Sequence, residues 1–236
     1  MSTVTAAARV MAGASLEREL KFALPAGKAL LARSIVAALC RPDAKYPAAT
    51  VSTIYYDAPD FELLSEKINS DYLKTRVRLR WYSGPADQDA FLEIKARVGT
   101  LRHKVRVQTA LAASMLNDLP LDHPTLVQVL ELARPLGVRI PPRLSPALLM
   151  RYERSRFVEP VSGSRISVDV NIEVLRGHPR LPRHASPERI GSAVVEVKGA
   201  QTDLPRALYP LASLGARRAA FSKYGLAGVA MLGYVH

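Results

Sequence analysis

Lys74, Arg76, Arg78 and Arg80 occupy every second position of the run 74–81, with Thr75, Val77, Leu79 and Trp81 between them. In an extended chain this alternation sends all four cations to one face of a strand and the other side chains to the opposite face. Like charges so close repel, so a stable fold must either leave them in open water or surround them with anions and hydration. The pattern recurs along the chain. Glu93, Lys95 and Arg97 share a side of 91–97, and Arg102, Lys104, Arg106 and Gln108 share a side of 101–109. Arg165, Ser167, Asp169, Asn171 and Glu173 alternate with Ile166, Val168, Val170, Ile172 and Val174, and Glu196 and Lys198 alternate with Val195 and Val197. Near the start, Glu17, Glu19 and Lys21 line one wall with Leu20 and Phe22 behind it.

Arginine forks and lysine point charges neutralise phosphate oxygens. Carboxylates about 7 Å apart along a strand can hold a hard divalent cation. Inward carboxylates would repel a phosphate chain unless such a cation lay between them, so a triphosphate site calls for both signs. Phosphoryl transfer asks for little more than positioning, charge neutralisation, metal and an oriented acceptor.

The elements that must position these groups are mostly strands. Runs 16–22, 51–57, 74–81, 91–97, 101–109, 165–174 and 192–198 read as strands, with turns at Ala58-Pro59-Asp60, Ser83-Gly84-Pro85 and Gly99-Thr100. Run 25–41 is helix-like and ends before Pro42; 61–68 reads as a short helix or irregular turn. Run 111–136 has a helical pattern broken by Pro120 and Pro124, 177–191 reads as a basic loop, and 204–214 and 223–232 close the chain as helix-like segments. Strand after strand, one face is apolar and the other charged. Two architectures follow: a two-sheet sandwich with its charged faces in solvent, or an inverted barrel, charged within and coated by helices without.

The chain has 236 residues and a net charge of +12, which implies polyanionic company: nucleic acid, anionic lipid or phosphate compounds. Blocks of consecutive Lys or Arg are missing, and no aromatic residues interleave the basic strand face, which speaks against nucleic acid. No stretch reaches the roughly 18 uninterrupted apolar residues of a membrane span. Residues 1–14 read as a disordered lead and 15–236 as one domain. Cys40 is the only cysteine, which excludes an internal disulfide and suits a reducing, cytoplasmic setting; it reads as an inert core thiol. The five histidines lack metal-ligand spacing.

Glu17-Arg18-Glu19-Leu20-Lys21 is similar to the Glu-x-Glu-x-Lys signature of the triphosphate tunnel metalloenzymes, or CYTH-type proteins. Tyr55-Tyr56-Asp57-Ala58-Pro59-Asp60, Arg78-Leu79-Arg80-Trp81-Tyr82, Phe91-Leu92-Glu93-Ile94-Lys95, Tyr152-Glu153-Arg154, Arg165-Ile166-Ser167-Val168-Asp169, Val195-Glu196-Val197-Lys198 and Phe221-Ser222-Lys223-Tyr224 resemble, in order, the landmarks of the polyphosphate-polymerase (VTC) branch. The resemblance implies an α+β fold: an antiparallel β-barrel tunnel of about eight strands with a charged lumen and flanking helices. It implies ATP-driven polyphosphate synthesis with manganese or magnesium, with ATP and inorganic polyphosphate as partners. Carried over by position, Lys21, Arg78, Arg80, Lys95, Arg154 and Lys223 form the catalytic grip, supported at the phosphates by Arg76, Arg102, Lys104, Arg106 and Lys198. Glu196, with Glu19, Glu17 and Asp169, falls on the metal side, although Asp169 and Glu173 read equally as partners that hold arginines in place. Two departures matter. The first strand keeps both glutamates, which leaves triphosphate hydrolysis open, and the regulatory and membrane domains of the eukaryotic complex have no counterpart here. A noncatalytic polyphosphate or nucleic-acid binding module is the third reading, and a membrane-protein partner for the product is left open.

Overall fold

The computed structural model describes residues 8–10, 18–69, 72–83, 89–99, 101–137, 140–182 and 187–232, without the side chains of 8–10 and Arg102. The strands are β1 (Ala8–Val10), β2 (Arg18–Pro25), β3 (Arg41–Pro42), β4 (Ala48–Asp57), β5 (Leu73–Ser83), β6 (Asp89–Val98), β7 (Leu101–Ala112), β8 (Ser145–Val158), β9 (Arg165–Gly177), β10 (Glu188–Arg189), β11 (Ser192–Gly199) and β12 (Arg217–Arg218). The helices are α1 (Ala29–Leu39), α2 (Glu62–Ile68), α3 (Ala113–Asp118), α4 (Pro124–Gln128) and α5 (Lys223–Leu232), with longer 3-10 helices at Val129–Leu136 and Arg206–Leu214.

All the strands join one antiparallel sheet in the order β1-β7-β6-β5-β4-β8-β9-β11-β2-β12, with β3 and β10 attached to β8 and β9. The fold is therefore α+β, built on a single large sheet. Ring closure is where it departs from the expected barrel. Among the described residues no ladder joins β7 to β2, because β1 occupies the free edge of β7 and β12 the free edge of β2.

The sheet is nevertheless strongly coiled. Lys95 on β6 interacts electrostatically with Glu19 on β2 and Lys198 on β11. In a flat sheet, β6 and β2 would stand six strand spacings, roughly 29 Å, apart. Charges felt across such a gap require the two ends to face each other over a shared concave side.

Helices cover the convex side. Val77, Leu79, Trp81, Leu92, Ile94, Val105 and Val107 pack under Leu116, Leu126, Val129 and Ala133 of α3, α4 and the following 3-10 helix. Leu20, Phe22, Leu24, Ile166, Val168, Val195 and Val197 pack under α1 and the 3-10 helix 206–214. A third cluster lies on the concave side, where Tyr224, Ala227 and Met231 of α5 meet Val51, Tyr55, Met150, Tyr152, Ile172, Val174 and Val194. Apart from this cluster under α5, the apolar faces point outward under helices and the charged faces inward, the reverse of a sandwich with its core between two sheets.

Local departures from the sequence reading have local causes. Helix α1 spans Ala29–Leu39 rather than 25–41, because Pro25 finishes β2 and Cys40 is already extended ahead of Pro42. The 111–136 region splits into the end of β7, α3, α4 and a 3-10 helix that tolerates Pro135, since Pro120 and Pro124 deny one continuous helix its backbone bonds. Residues 8–10, read as part of a lead, pair with β7. Strict alternation on β9 ends at Asn171, which has φ 51. Arg151 faces Glu173 while Glu153 faces Val170, so Asn171 and Ile172 together oppose Tyr152. This bulge turns Ile172 and Val174 to the concave side, whereas Val168 and Val170 stay on the convex one.

Candidate functional site

On the concave side of β5 and β6, Arg78 stands opposite Glu93 in register and donates from Nε and Nη2 to Glu93 Oε2 at 2.8 and 2.5 Å. Arg80 Nη1 lies 3.8 Å from the same oxygen, and Arg106 Nε on β7 lies 3.6 Å from Glu93 Oε1. Arg80 also donates from Nε to Thr53 Oγ1 at 3.3 Å and from Nη2 to the Tyr152 hydroxyl at 3.0 Å. One buried carboxylate therefore holds three guanidinium groups. Burial would push Glu93 up, but Arg78 and Arg80 more than reverse this, holding it well below the usual carboxylate range.

Arg76 and Lys95, also opposite each other in register, make no ion pair with a carboxylate among the described residues. The Nε of Arg76 is buried and has no hydrogen-bond partner. Burial, and then the neighbouring Arg78, lowers the pKa of Arg76; burial, then Arg78 and Arg76, lower that of Lys95 to about 7. These two cations are crowded by like charge; both feel the attraction of Glu19, but among the described residues neither pairs with a carboxylate.

Across the concavity, Arg154 on β8 donates from Nε and Nη2 to the two oxygens of Asp169 on β9, at 2.6 and 2.7 Å. Lys223, the first residue of α5, donates to Asp169 Oδ2 at 2.5 Å, and its ammonium sits over the Tyr152 ring, 4.6 Å from the centroid. Burial alone would raise Asp169, yet Arg154 and Lys223 bring it down to about 2. Next to this group, β2 and β11 pair with Glu196 opposite Lys21 and Lys198 opposite Glu19. Lys198 Nζ is 2.8 Å from Glu196 Oε1 and 3.6 Å from Glu19 Oε2. Lys21 Nζ is 3.0 Å from Glu19 Oε1 and donates to the Phe221 carbonyl at 3.3 Å. Burial opposes ionisation of Glu196, but Lys198, Arg154 and Lys21 keep it ionised well below the usual range; Glu19 is also lowered, against burial and the repulsion of Glu196.

A cavity of about 400 Å³ opens beside this wall, lined by Glu19, Lys21, Phe221, Lys67 of α2 and Arg218 of β12. Tyr55 of β4 stacks on Tyr224 with centroids 4.9 Å apart. Burial pushes the Tyr55 phenol up, but Arg78, Arg80, Arg76 and Lys223 pull it down to about 8, so its oxygen senses cations from both walls.

Most of the residues singled out from sequence meet on this concave side: Lys21, Arg76, Arg78, Arg80, Lys95, Arg106, Arg154, Lys198, Lys223, Glu19, Glu196 and Asp169. Lys104 stands opposite Lys95 on β7 but is solvent-exposed. Glu17 and the Arg102 side chain lie outside the described residues. Glu173 takes Arg189 at 2.9 Å, toward solvent. Among the described residues no group of three or more His, Cys, Asp or Glu gathers at one point. Glu19 has both oxygens in ion pairs with Lys21 and Lys198, whereas Glu196 engages Lys198 through Oε1 alone; a hard divalent cation, which takes one or two carboxylates and completes its shell with water and phosphate oxygens, would meet Glu196 Oε2. Asp169 has both oxygens engaged by Arg154 and Lys223, the arginine-holding alternative of the sequence reading.

Sequence reasoning gave no role to Thr53, Lys67 or Tyr55 and quoted Tyr152 only within a landmark. Tyr152 is buried, but its hydroxyl fixes Arg80 and its ring backs Arg154 and Lys223. Glu93 was legible as sharing a face with Lys95; its grip on three arginines depends on strand register, which alternation does not specify.

A family model described as the VTC domain matches residues 16–232. No curated protein matches the chain. Among solved structures, it is similar to a Hippeastrum protein described as a candidate adenylyl cyclase with a dominant triphosphatase activity, at 16% identity and TM-score 0.49, covering 90% of this chain and 96% of that one. It is similar to a candidate adenylate cyclase from Vibrio parahaemolyticus at 13% identity and TM-score 0.47, covering 92% and 99%, and to another from Bacillus halodurans at 11% and 0.44, covering 86% and 91%.

Proposed function

From the premise that the chain belongs to the VTC domain family, we propose that its concave charged face is a triphosphate tunnel in which the γ-phosphoryl group of ATP is transferred to the end of a growing inorganic polyphosphate chain. The observation that carries this reading is the pair Arg76 and Lys95, inward-facing cations without a carboxylate partner beside arginines that already have one. A solvated basic face would not need to crowd cations this way, whereas a phosphate chain supplies the missing anions.

The roles divide by how each group is held. Arg78 and Arg80, fixed by Glu93, Thr53 and Tyr152, present preset guanidinium planes to phosphate oxygens. Arg154 and Lys223, fixed by Asp169, grip from the opposite wall, while Arg76 and Lys95 take the charge of the chain between them. Arg106, Lys198 and the more exposed Lys104 extend the cationic track, with Lys21 beside the acids. Glu19 and Glu196 would hold a divalent cation together with the phosphates; such an ion neutralises charge developing on the transferred group. Positioned phosphates leave no need for a protein nucleophile: the terminal oxygen of the acceptor chain attacks and ADP departs.

The test is incubation of the purified protein with ATP and manganese. A long anionic polymer formed together with ADP is expected. Orthophosphate as the sole phosphate product would replace the polymerase by a triphosphatase, the reading favoured by retention of both Glu17 and Glu19. Binding with a steep salt dependence but no turnover would leave a noncatalytic polyanion-binding module.

A further inference from the structure

The concave face changes character at one end of β5 and β6. Along β5 the inward positions run Lys74, Arg76, Arg78 and Arg80, and the next is Tyr82; along β6 they run Arg97, Lys95 and Glu93, and the next is Phe91. Register sets Phe91 opposite Arg80, so both aromatic residues stand at the same end of the charged face. Each is only part-buried, unlike the core aromatics Trp81 and Tyr56.

Arginines from the two flanking sides lie against these rings. The Arg106 guanidinium of β7 sits over Phe91, 3.8 Å from the centroid. Arg156 of β8 lies between two phenols, 5.6 Å from the Tyr82 centroid and 5.9 Å from that of Tyr46. It follows Tyr152 and Arg154 on the inward side of β8, opposite Ser167. Its position is fixed: Nη1 donates to the Tyr46 carbonyl at 3.2 Å, its backbone N–H donates to the Pro47 carbonyl at 2.7 Å, and Asp43 Oδ1 accepts from the Tyr46 N–H at 2.7 Å. Burial, and then Glu93, would raise the Tyr82 phenol, but Arg80, Arg106 and Arg156 bring it below its ordinary value. Guanidinium groups from β5, β7 and β8 thus converge on one aromatic side chain.

Deeper in the site the arginines are met edge-on by carboxylates, as Arg78 is by Glu93 and Arg154 by Asp169. At this end they are set against aromatic rings instead. A polyphosphate chain is anionic and hydrated throughout and gains nothing from an aromatic ring. ATP differs from such a chain in its nucleoside, which carries a planar purine. Planar bases stack on aromatic side chains and on guanidinium planes. Tyr82 lies four residues beyond Arg78, about 13 Å along the strand, which leaves room for ribose and phosphates between a base at the rings and a γ-phosphoryl group at the inner arginines.

We infer that Tyr82, Phe91, Arg106 and Arg156, with the more exposed Tyr46 at the rim, form a mouth that takes the purine base of ATP by stacking. The inference rests on the triphosphate reading above and adds to it the part of the molecule that tells a nucleotide from bare polyphosphate.

Isothermal titration of the full chain in magnesium, with β,γ-imido-ATP and with inorganic tripolyphosphate, separates this mouth from the phosphate grip. Tyr82→Leu/Phe91→Leu should weaken binding of the imido nucleotide about tenfold or more while leaving the tripolyphosphate affinity and the melting temperature close to wild type. Tyr82→Phe, which keeps the ring, should bind the nucleotide as the wild type does. In a separate variant, Phe91→Trp, the nucleotide should quench the added indole emission and tripolyphosphate should not; Trp81, buried on the opposite face of β5, supplies a constant background. An equal loss of both ligands in the double variant, or quenching by both ligands alike or by neither, would overturn the inference. A wild type that binds neither ligand would remove the triphosphate reading and this mouth with it. Tripolyphosphate binding together with a nucleotide affinity indifferent to the double substitution would remove the mouth alone.

Discussion

A lysine that is half-buried among arginines and has no carboxylate of its own is costly to the empty protein. Lys95 is in that position, lowered to about 7 first by burial and then by Arg78 and Arg76. Between that value and the ordinary lysine value, the unfolded chain holds a proton that the native chain has released, so this residue makes stability rise with pH across the window. A bound phosphate chain reverses the preference and draws the proton back. Tripolyphosphate should therefore protect against heat most strongly below pH 7 and progressively less above it, as read by thermal shift across a pH series. Lys95→Met should raise the melting temperature of the ligand-free protein by about 2–6 °C and remove most of the protection by tripolyphosphate. A lower melting temperature with protection intact would remove Lys95 from the site.

At the scale of elements, β9 serves two surfaces because its alternation is broken once. Asn171 takes the left-handed conformation and donates from Nδ2 to Glu153 at 2.7 Å, and the bulge there lets Asp169 face Arg154 while Ile172 and Val174 meet α5. A β-branched residue resists that backbone conformation. Asn171→Val should cost about 1–3 kcal/mol in urea unfolding, whereas Asn171→Gly should stay close to wild type. The alternation of β5, β6 and β11 was plain in the sequence, since unbroken period-two patterns assign side chains to faces directly. The break in β9 was not, because Asn171 falls on the polar side of a pattern that looks perfect through Val174. Nor were the partners: which acid holds which arginine follows from register, and register is set by turns and bulges elsewhere in the sheet. The segment 111–136 looked helical because its apolar spacing suits a helix, but its prolines cut it into short pieces that still cover β5–β7.

Over the whole molecule, the eight strands of eight residues or more, β2, β4–β9 and β11, bring charges of both signs onto one concave side. The acids there are held ionised by their partners: Asp169 by Arg154 and Lys223, Glu93 by Arg78 and Arg80, Glu196 by Lys198 and Arg154. Their pKa values are depressed in the folded chain. The stability they lend is present above the ordinary carboxylate range and is lost as pH falls through the folded values. Circular dichroism should show cooperative unfolding beginning below pH 4 and continuing toward about 2, the value reached by Asp169. A molecule that keeps its near-ultraviolet signal unchanged down to pH 2 would mean that these pairs contribute little to folding.

The pairing of β2 with β11 places Glu19 beside Lys198 although nearly the whole sheet lies between them along the chain. By contrast, Arg78 meets Glu93 and Arg154 meets Asp169 across only 15 positions each. A ribosome releasing this chain thus supplies Arg78 and Arg154 with their acids soon after they emerge, hairpin by hairpin. The wall that joins the second strand to the eleventh is completed only when synthesis has passed Gly199. Nascent fragments shorter than that carry neutralised cationic ribs but no finished acidic wall, so the activity proposed above would begin only once synthesis has passed that point.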